Sequence, residues 1–185
     1  MVKIDGGLRS IFRERLPMLA WTSIESGSTA RGVPDSNYLG EGGVEGWIEY
    51  KAARGAGMAV GSLKPEQAAW LHRRSRLGGR SWLAVRREDE LWLVPGALAP
   101  VVRAGGLAEV EAHWRSLGPV AVPVAGLRVP LPQHGGRWSG GPVRWGWPQV
   151  LACLRAAPLR PPRGPEPIGE ERRAGDRART ARPRL

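Results

Sequence analysis

The feature that most constrains the fold is the stretch from Val44 to Ala52, whose residues alternate in character as those of a β-strand do. The run Gly40-Glu41-Gly42-Gly43 precedes it and has the composition of a turn. A shorter strand can begin at Asp35, so the two strands and the turn predict a hairpin. Because successive side chains of a strand point to opposite faces, one face receives Trp47, Glu49 and Lys51 and the other receives Ile48 and Tyr50.

Helices are predicted on both sides of this hairpin, and further strands after it. Apolar residues from Leu8 to Leu19 recur at helical spacing, and Pro17 bends or divides this first helix. A second helix has Pro65 in its first turn, where a missing N–H costs nothing, and Gly78-Gly79 ends it. The other predicted elements are strands over Ser81–Val85 and Leu91–Val94 and helices over Leu107–Leu117 and Leu151–Ala157, while residues 118–150 receive no assignment.

The charge of the chain is strongly positive and is carried by arginine. Among 185 residues, 28 are basic and 17 acidic, which gives a net charge of +11, and all the basic residues except Lys3, Lys51 and Lys64 are arginines. This balance favours a polyanionic partner, nucleic acid first and an anionic membrane surface second. Residues 158–185 are rich in Arg, Pro, Gly and Glu, so we expect a disordered basic tail that either grips DNA or only aids solubility.

Several classes of protein conflict with the composition. The single cysteine, Cys153, excludes an internal disulfide framework and any zinc or iron–sulfur site with several cysteines. His72, His113 and His134 are scattered without the spacing of metal ligands, which argues against a zinc enzyme. No run approaches the roughly 18 apolar residues of a membrane-spanning helix, and the first residues lack the apolar core of a signal peptide. We therefore expect a soluble, intracellular protein with no membrane partner.

Two carboxylates and a lysine are predicted to meet on one face of the hairpin. Asp35 stands at the start of the first strand, the hairpin brings it beside Glu49, and Lys51 points to the same face. Burying such charges for packing alone is unfavourable, because each must be paired. Hydrolysis of phosphodiesters uses this set of groups, since two carboxylates and a backbone carbonyl suit Mg²⁺, which also takes phosphate oxygens as ligands. A lysine can orient or deprotonate the attacking water, because its pKa can shift where that of arginine cannot.

These residues resemble the signature of the PD-(D/E)XK nuclease superfamily, with Pro34-Asp35 followed by Glu49-Tyr50-Lys51. The later segment Leu63–Leu71, followed by Gly78-Gly79-Arg80 and an apolar strand, is similar to the VRR-NUC and Holliday-junction-resolvase-like branch. The resemblance covers about residues 8–95. It implies a restriction-endonuclease-like α/β core over 1–95, with a central mixed sheet flanked by helices. Residues 96–157 would then form an irregular C-terminal extension, packed on the core or accessory to it.

The resemblance also implies a role for each residue of the site. The two carboxylates and the carbonyl of Tyr50 would bind Mg²⁺, which Mn²⁺ can replace, and Lys51 would act on the attacking water. In that branch a glutamine of the helix points toward the site, which corresponds to Gln67, and a glutamate lies on or just after the N-terminal helix, which Glu25 matches. The implied catalytic residues are Asp35, Glu49, Lys51, Glu25 and Gln67, and the implied metal ligands are Asp35, Glu49 and Tyr50.

The implied function is Mg²⁺-dependent hydrolysis of DNA phosphodiester bonds, with a preference for branched DNA if the chain is resolvase-like. Relatives of that kind act as homodimers, and small nucleases of this type are common in phages. The implied partners are therefore DNA and a second copy of the chain, in the cytoplasm of a bacterium or of a phage-infected cell. The alternative is a non-catalytic nucleic-acid-binding protein that retains the nuclease fold.

Several of these residues also have purely structural interpretations. Asp35 could cap a turn, and Glu49 and Lys51 could form a surface ion pair worth little. Glu25 and Gln67 could be ordinary loop and helix residues. The basic residues Arg73, Arg74 and Arg76 of the second helix either contact DNA phosphates or form an exposed face. We expect Trp47, Trp70, Trp82 and Trp92 in the core, whereas Trp138, Trp145 and Trp147 either pack an irregular lobe or stack on unpaired bases.

Overall fold

The computed structural model describes residues 5–24, 31–53, 58–117 and 132–158. In these ranges the chain forms four helices and six strands, which confirms the predicted α/β class. In chain order they are α1 (Leu8–Arg15), β1 (Ala20–Ser23), β2 (Ser36–Gly40), β3 (Val44–Ala53), α2 (Pro65–Arg76), β4 (Arg80–Arg87), β5 (Glu90–Pro95), α3 (Ala99–Ser116), β6 (Gly136–Trp138) and α4 (Trp147–Arg155).

The six strands form one mixed, open sheet in which neighbours in space follow the order of the chain from β1 to β6. The strands of each neighbouring pair are antiparallel, except that β3 and β4 are parallel. A parallel pair needs a crossover connection, and α2 provides it. The predicted hairpin is confirmed as β2 and β3, with Ser36 opposite Ile48. The mixed sheet flanked by helices is thus present.

Helices cover both faces of the sheet and bury a hydrophobic cluster on each. Helices α1 and α4 pack on one face, where Phe12 and Leu154 join Tyr50 in one cluster. Helices α2 and α3 pack on the other face, where Leu71 and Trp114 belong to the second cluster. Strand β3 lies between the two layers, and its alternating side chains reach both of them. The face covered by α2 and α3 is the one that carries the charged residues of β3.

Two strands occur where the sequence pattern predicts none. Strand β1, with only four residues, pairs with β2, and β6, with three residues, pairs with β5. Strands this short carry too few residues to show a period of two, and their conformation depends on pairing with a longer neighbour. Both strands lie at the edges of the sheet. Their positions therefore follow from the fold and not from the local sequence.

The last two helices begin earlier than predicted. Helix α3 begins at Ala99, eight residues before the predicted start, and contains a kink at Gly106 with φ 76°. Helix α4 begins at Trp147 instead of Leu151 and has Pro148 in its first turn. Together with β6, these helices make the described part of 96–157 contribute to the sheet and to both clusters.

Part of the sequence-based interpretation concerns residues that the structure does not describe. Glu25 falls in one of these gaps, and so does the predicted tail except for Pro158. None of the helices in the described part of the chain has the length and apolar character that crossing a bilayer requires.

Candidate active site

The pairing of β2 with β3 brings Asp35 next to Glu49. Asp35 directly precedes β2, and the register that sets Ser36 opposite Ile48 places Asp35 opposite Glu49, as the hairpin predicts. Because the ladder ends at Ser36, the backbone N–H of Tyr50 is left to a side chain, and it donates to Asp35 Oδ2 at 3.0 Å. The second oxygen of Asp35 accepts a hydrogen bond from Arg9, at 3.2 Å. The carboxylate is therefore held from both sides at the end of the hairpin.

Glu49 is fully buried in the middle of β3, and its two oxygens have different surroundings. Its Oε1 accepts from Lys51 Nζ at 2.5 Å and from Gln67 Nε2 at 2.6 Å. Its Oε2 is also buried and has no hydrogen-bond partner among the described residues. Leaving a buried polar atom unpartnered is unfavourable, and native proteins leave few in that condition. A bound ligand could supply the partner that this oxygen lacks.

The charges around Glu49 favour an additional positive group. Burial and the negative charge of Asp35 raise the pKa of Glu49 to about 7, although the nearby Lys51 ammonium acts in the opposite direction. Lys51 is itself nearly buried, with 6% of its surface exposed. A cation between the two carboxylates would relieve their repulsion and would give Glu49 Oε2 a partner.

The donor atoms at this position fit a hard divalent cation. In a strand the N–H and the C=O of one residue point to the same side, so the carbonyl of Tyr50 points to the side that Asp35 occupies. Within the four described ranges no group of three or more His, Cys, Asp or Glu side chains gathers in one place. Mg²⁺ needs no such group, because it is commonly held by one or two carboxylates with water and substrate phosphates. Asp35, Glu49 and the carbonyl of Tyr50 therefore provide enough protein ligands for one Mg²⁺ ion.

Helix α2 contributes Gln67, whose side-chain amide is fixed at both ends. Its Oε1 accepts from the backbone N–H of Lys64, which precedes the helix, at 3.1 Å. This capping interaction turns Nε2 toward β3, where it donates to Glu49 Oε1. The residue that caps the start of the helix thus also holds the buried carboxylate. The resemblance implied that Gln67 points to the site, and the structure places it there.

Arg9 is a residue of the site that the sequence did not indicate. The helical spacing of Leu8 and Phe12 directs both to the core, and Arg9 follows on the flank of α1, where its guanidinium reaches Asp35 Oδ1. The sequence does reveal the helix and its apolar face. It does not reveal which strand end lies beside that flank, because this depends on how α1 packs on the sheet.

The predicted basic face of α2 is only partly exposed. Arg73 and Arg76 are exposed, as expected. Arg74 is half-buried and lies 3.4 Å from Glu45 Oε1, with its guanidinium over the rings of Trp47 and Trp70. Its side chain therefore already has a counter-charge and two aromatic neighbours.

The tryptophans only partly follow the sequence-based expectation. Trp82 and Trp92 are buried, which confirms the prediction for them. Trp70 is half-buried and packs against the second cluster, whereas Trp47 is half-buried and belongs to neither cluster, so placing Trp47 in the core was wrong. Helix α2 covers β3 incompletely at this level, and the two rings remain accessible between them. In the C-terminal segment Trp138 and Trp145 are buried, and Trp147 is half-buried against Phe12. These three rings pack against the fold.

The structure brings together four of the predicted catalytic residues, namely Asp35, Glu49, Lys51 and Gln67. The fifth, Glu25, lies outside the described residues. A scan against models of protein families found no match, and a search of curated proteins found no similar sequence either. The function must therefore be inferred from the chemistry of the site.

Proposed function

We propose that the protein is a metal-dependent nuclease that hydrolyses DNA phosphodiester bonds at the site of Asp35, Glu49 and Lys51. One observation carries the proposal: two carboxylates lie side by side, and the buried one keeps an oxygen without a hydrogen-bond partner among the described residues. A bound cation would give this oxygen a partner and would offset the repulsion between the two carboxylates. The net charge of +11 favours a polyanionic substrate, which a phosphodiester chain is.

Each residue of the site would have a distinct task. Asp35, Glu49 and the carbonyl of Tyr50 would hold Mg²⁺, which Mn²⁺ can replace. When bound, the cation neutralises charge on the scissile phosphate and lowers the pKa of a coordinated water. Lys51 Nζ, held 2.5 Å from Glu49, would orient the attacking water. Gln67 would hold Glu49 Oε1, which leaves Oε2 for the cation.

The mixed sheet and the Asp…Glu-x-Lys spacing also support a place in the PD-(D/E)XK superfamily. In this proposal the fold is restriction-endonuclease-like, and the nearest branch is that of VRR-NUC and Holliday-junction-resolvase-like proteins. Glu25 would support the network of metal and water, as the resemblance implies. The proposed partners are DNA and a second copy of the chain, with which the protein would form a homodimer. The proposed location is the cytoplasm of a bacterium or of a phage-infected cell.

The variants Asp35→Asn and Lys51→Ala test the proposed site directly. We expect each to lower the rate of DNA cleavage at least about 100-fold, because each removes a group that acts on the reacting phosphate or water. The assay uses labelled four-way junction, flap, single-stranded and duplex DNA, each with Mg²⁺, Mn²⁺ or EDTA. Glu14→Gln is the control, since this acidic side chain of α1 is 72% exposed and contacts Arg15, which is not a residue of the site. Variants that cut as fast as the parent would show that the site is wrongly assigned.

A second candidate function is supported by the pairing of the same carboxylates. Both oxygens of Asp35 already accept hydrogen bonds, and Lys51 provides a counter-charge for Glu49, so the charges are partly compensated without a cation. A non-catalytic nucleic-acid-binding protein could retain such a cluster. The cleavage assay separates the two candidates, because a binding protein would bind the DNA substrates and leave them uncut with either Mg²⁺ or Mn²⁺.

A further inference from the structure

Helix α2 packs on the face of the sheet that carries Glu49, and its side chains meet those of β3 in three successive pairs. Every second residue of a strand and every third or fourth residue of a helix share a face, so the pairs follow one another in order. The pairs are Glu49 with Gln67, Trp47 with Trp70, and Glu45 with Arg74. The first pair belongs to the candidate active site. The second, which we call the aromatic pair, therefore lies directly beside that site.

Packing on the hydrophobic clusters explains only one member of the aromatic pair, because Trp70 lies against the cluster beneath α2 and α3 and Trp47 lies against neither. The two indole rings lie 5.3 Å apart between centroids, with their planes at 57°, and both are half-buried. Among the described residues, Trp47 belongs to neither hydrophobic cluster, although the next four residues of its strand are all buried. Burying a large aromatic side chain is strongly favourable. A tryptophan left accessible in a central strand is thus available to a ligand.

The arginines near the aromatic pair outnumber the carboxylate of Glu45, to which Trp47 Nε1 donates at 3.0 Å. The guanidinium of Arg74 lies 5.9 Å from the centroid of Trp47 and 6.0 Å from that of Trp70. Arg73 and Arg76 are exposed on the same end of α2. Aromatic rings that stack on bases, next to arginines that contact phosphates, are the usual means of binding single-stranded nucleic acid.

We propose that Trp47, Trp70 and Arg74 bind an unpaired base of the DNA strand that is cut, an inference that rests on the nuclease function proposed above. Trp47 and Glu49 are two residues apart, about 6.5 Å along the strand, so the bound base belongs to a nucleotide close to the scissile phosphate. In a duplex both faces of a base are covered by its neighbours, and stacking on a side chain requires a base that has left the helix. The site therefore selects single-stranded or branched DNA over intact duplex.

Binding measurements on the full chain carrying Asp35→Asn test this without interference from cleavage. The readout is the fluorescence anisotropy of a labelled single-stranded oligonucleotide and of the matching duplex. We expect Trp47→Ala and Trp70→Ala each to weaken binding of the single strand at least about fivefold, with duplex binding nearly unchanged. Trp47→Phe retains an aromatic face and should keep most of the affinity. The control is Trp147→Ala, which removes a half-buried indole from the opposite face of the sheet.

An oligonucleotide with one abasic position shows whether a base is the bound group. As that position is moved along the strand, one placement should lower the affinity of the parent and leave that of Trp47→Ala unaffected. Alanine variants that bind the single strand as the parent does, or that weaken duplex binding equally, would overturn the inference. Cleavage separates it from the proposed function: if the aromatic pair binds bases but nothing is cut, only the nuclease function fails. If DNA is cut and Trp47→Ala changes neither binding nor substrate preference, only the base site fails.

Discussion

Glu49 is the carboxylic acid whose pKa the fold raises into the neutral range. Burial and the charge of Asp35 raise its pKa from an ordinary 4.5 to about 7. Between these two pH values the folded protein holds a proton that the unfolded chain has released, so stability falls as the pH rises through this window. Above about pH 7 Glu49 is ionised in both states, and this contribution is lost.

We therefore expect the free energy of unfolding to fall by roughly 2 to 3 kcal/mol between pH 5 and pH 8 because of Glu49, in the absence of divalent cations. The variant Glu49→Gln lacks this contribution, because an amide does not titrate. Urea denaturation of both proteins across this range measures it. Mg²⁺ should stabilise the parent more at pH 8 than at pH 5, since it binds the ionised carboxylate. A stability difference between the two proteins that stays constant with pH would contradict the prediction.

The local sequence predicts those residues of the site whose positions follow from the hairpin. Asp35, Glu49 and Lys51 come together because a turn joins two strands with alternating faces. Arg9 could not be predicted in this way, because its contact with Asp35 depends on how α1 packs on the sheet. The exposure of Trp47 depends likewise on how much of β3 the helix α2 covers. The alternation of residues in a strand classes a tryptophan only as apolar and does not show whether a helix covers it.

At the level of elements, helix α3 consists of two helical segments that meet at Gly106. Gly106 has φ 76° and ψ −163°, a backbone conformation that residues other than glycine rarely adopt. The next residue, Leu107, donates its N–H to the carbonyl of Met58 at 2.8 Å. A Cβ at Gly106 would lie 2.5 Å from that same carbonyl oxygen. The kink thus lets α3 bond to the segment that leads into α2.

Two neighbouring glycines allow a matched test of this kink. We expect Gly106→Ala to destabilise the fold by about 2 kcal/mol or more, because alanine strains the backbone and meets the Met58 carbonyl. Gly105→Ala is the control: Gly105 is exposed, and its new Cβ meets the side chain of Glu109, which is exposed and can rotate. It should be neutral or stabilising by up to about 1 kcal/mol. Equal urea midpoints for the two variants would show that the kink does not require glycine at position 106.

Elements with several turns or several strand pairs were predicted, and the shorter ones were not. The hairpin, α2 and the strands β4 and β5 follow from local patterns that extend over enough residues to show a period. Strands β1 and β6 are stabilised by pairing with β2 and β5. Helix α3 was predicted only after Gly106, since Pro100 and the glycines before that point predict a loop.

At the scale of the whole molecule, Tyr38 connects the hairpin to the last helix. Its hydroxyl donates to the carbonyl of Leu154 at 2.8 Å and accepts from Trp82 Nε1 at 3.1 Å, and the three groups are buried. The contact with Leu154 joins residues 116 positions apart. Strands β2 and β4 and helix α4 are thus tied together at one point on the face that α1 also covers.

The variant Tyr38→Phe should destabilise the whole molecule by about 1 to 3 kcal/mol, because it leaves the Leu154 carbonyl and the Trp82 N–H without their partner. Tyr50→Phe is the control, since the Tyr50 hydroxyl faces Ser36 without a close hydrogen bond, and its loss should be nearly neutral. Far- and near-ultraviolet circular dichroism should report one common transition for Tyr38→Phe. A separate early transition with the main midpoint unchanged would show instead that α4 detaches independently.

The two hydrophobic clusters draw on very different lengths of chain. The cluster beneath α2 and α3 is built from residues between Ala53 and Trp114, whereas the opposite one needs both Leu8 and Leu154. During synthesis, a nascent chain can close the first cluster as soon as α3 has left the ribosome. The face that carries Glu49 and the aromatic pair can then form early. Until α4 follows, the other side of the sheet exposes the part of its cluster that Trp147 and Leu154 cover, and that surface is open to non-native contacts.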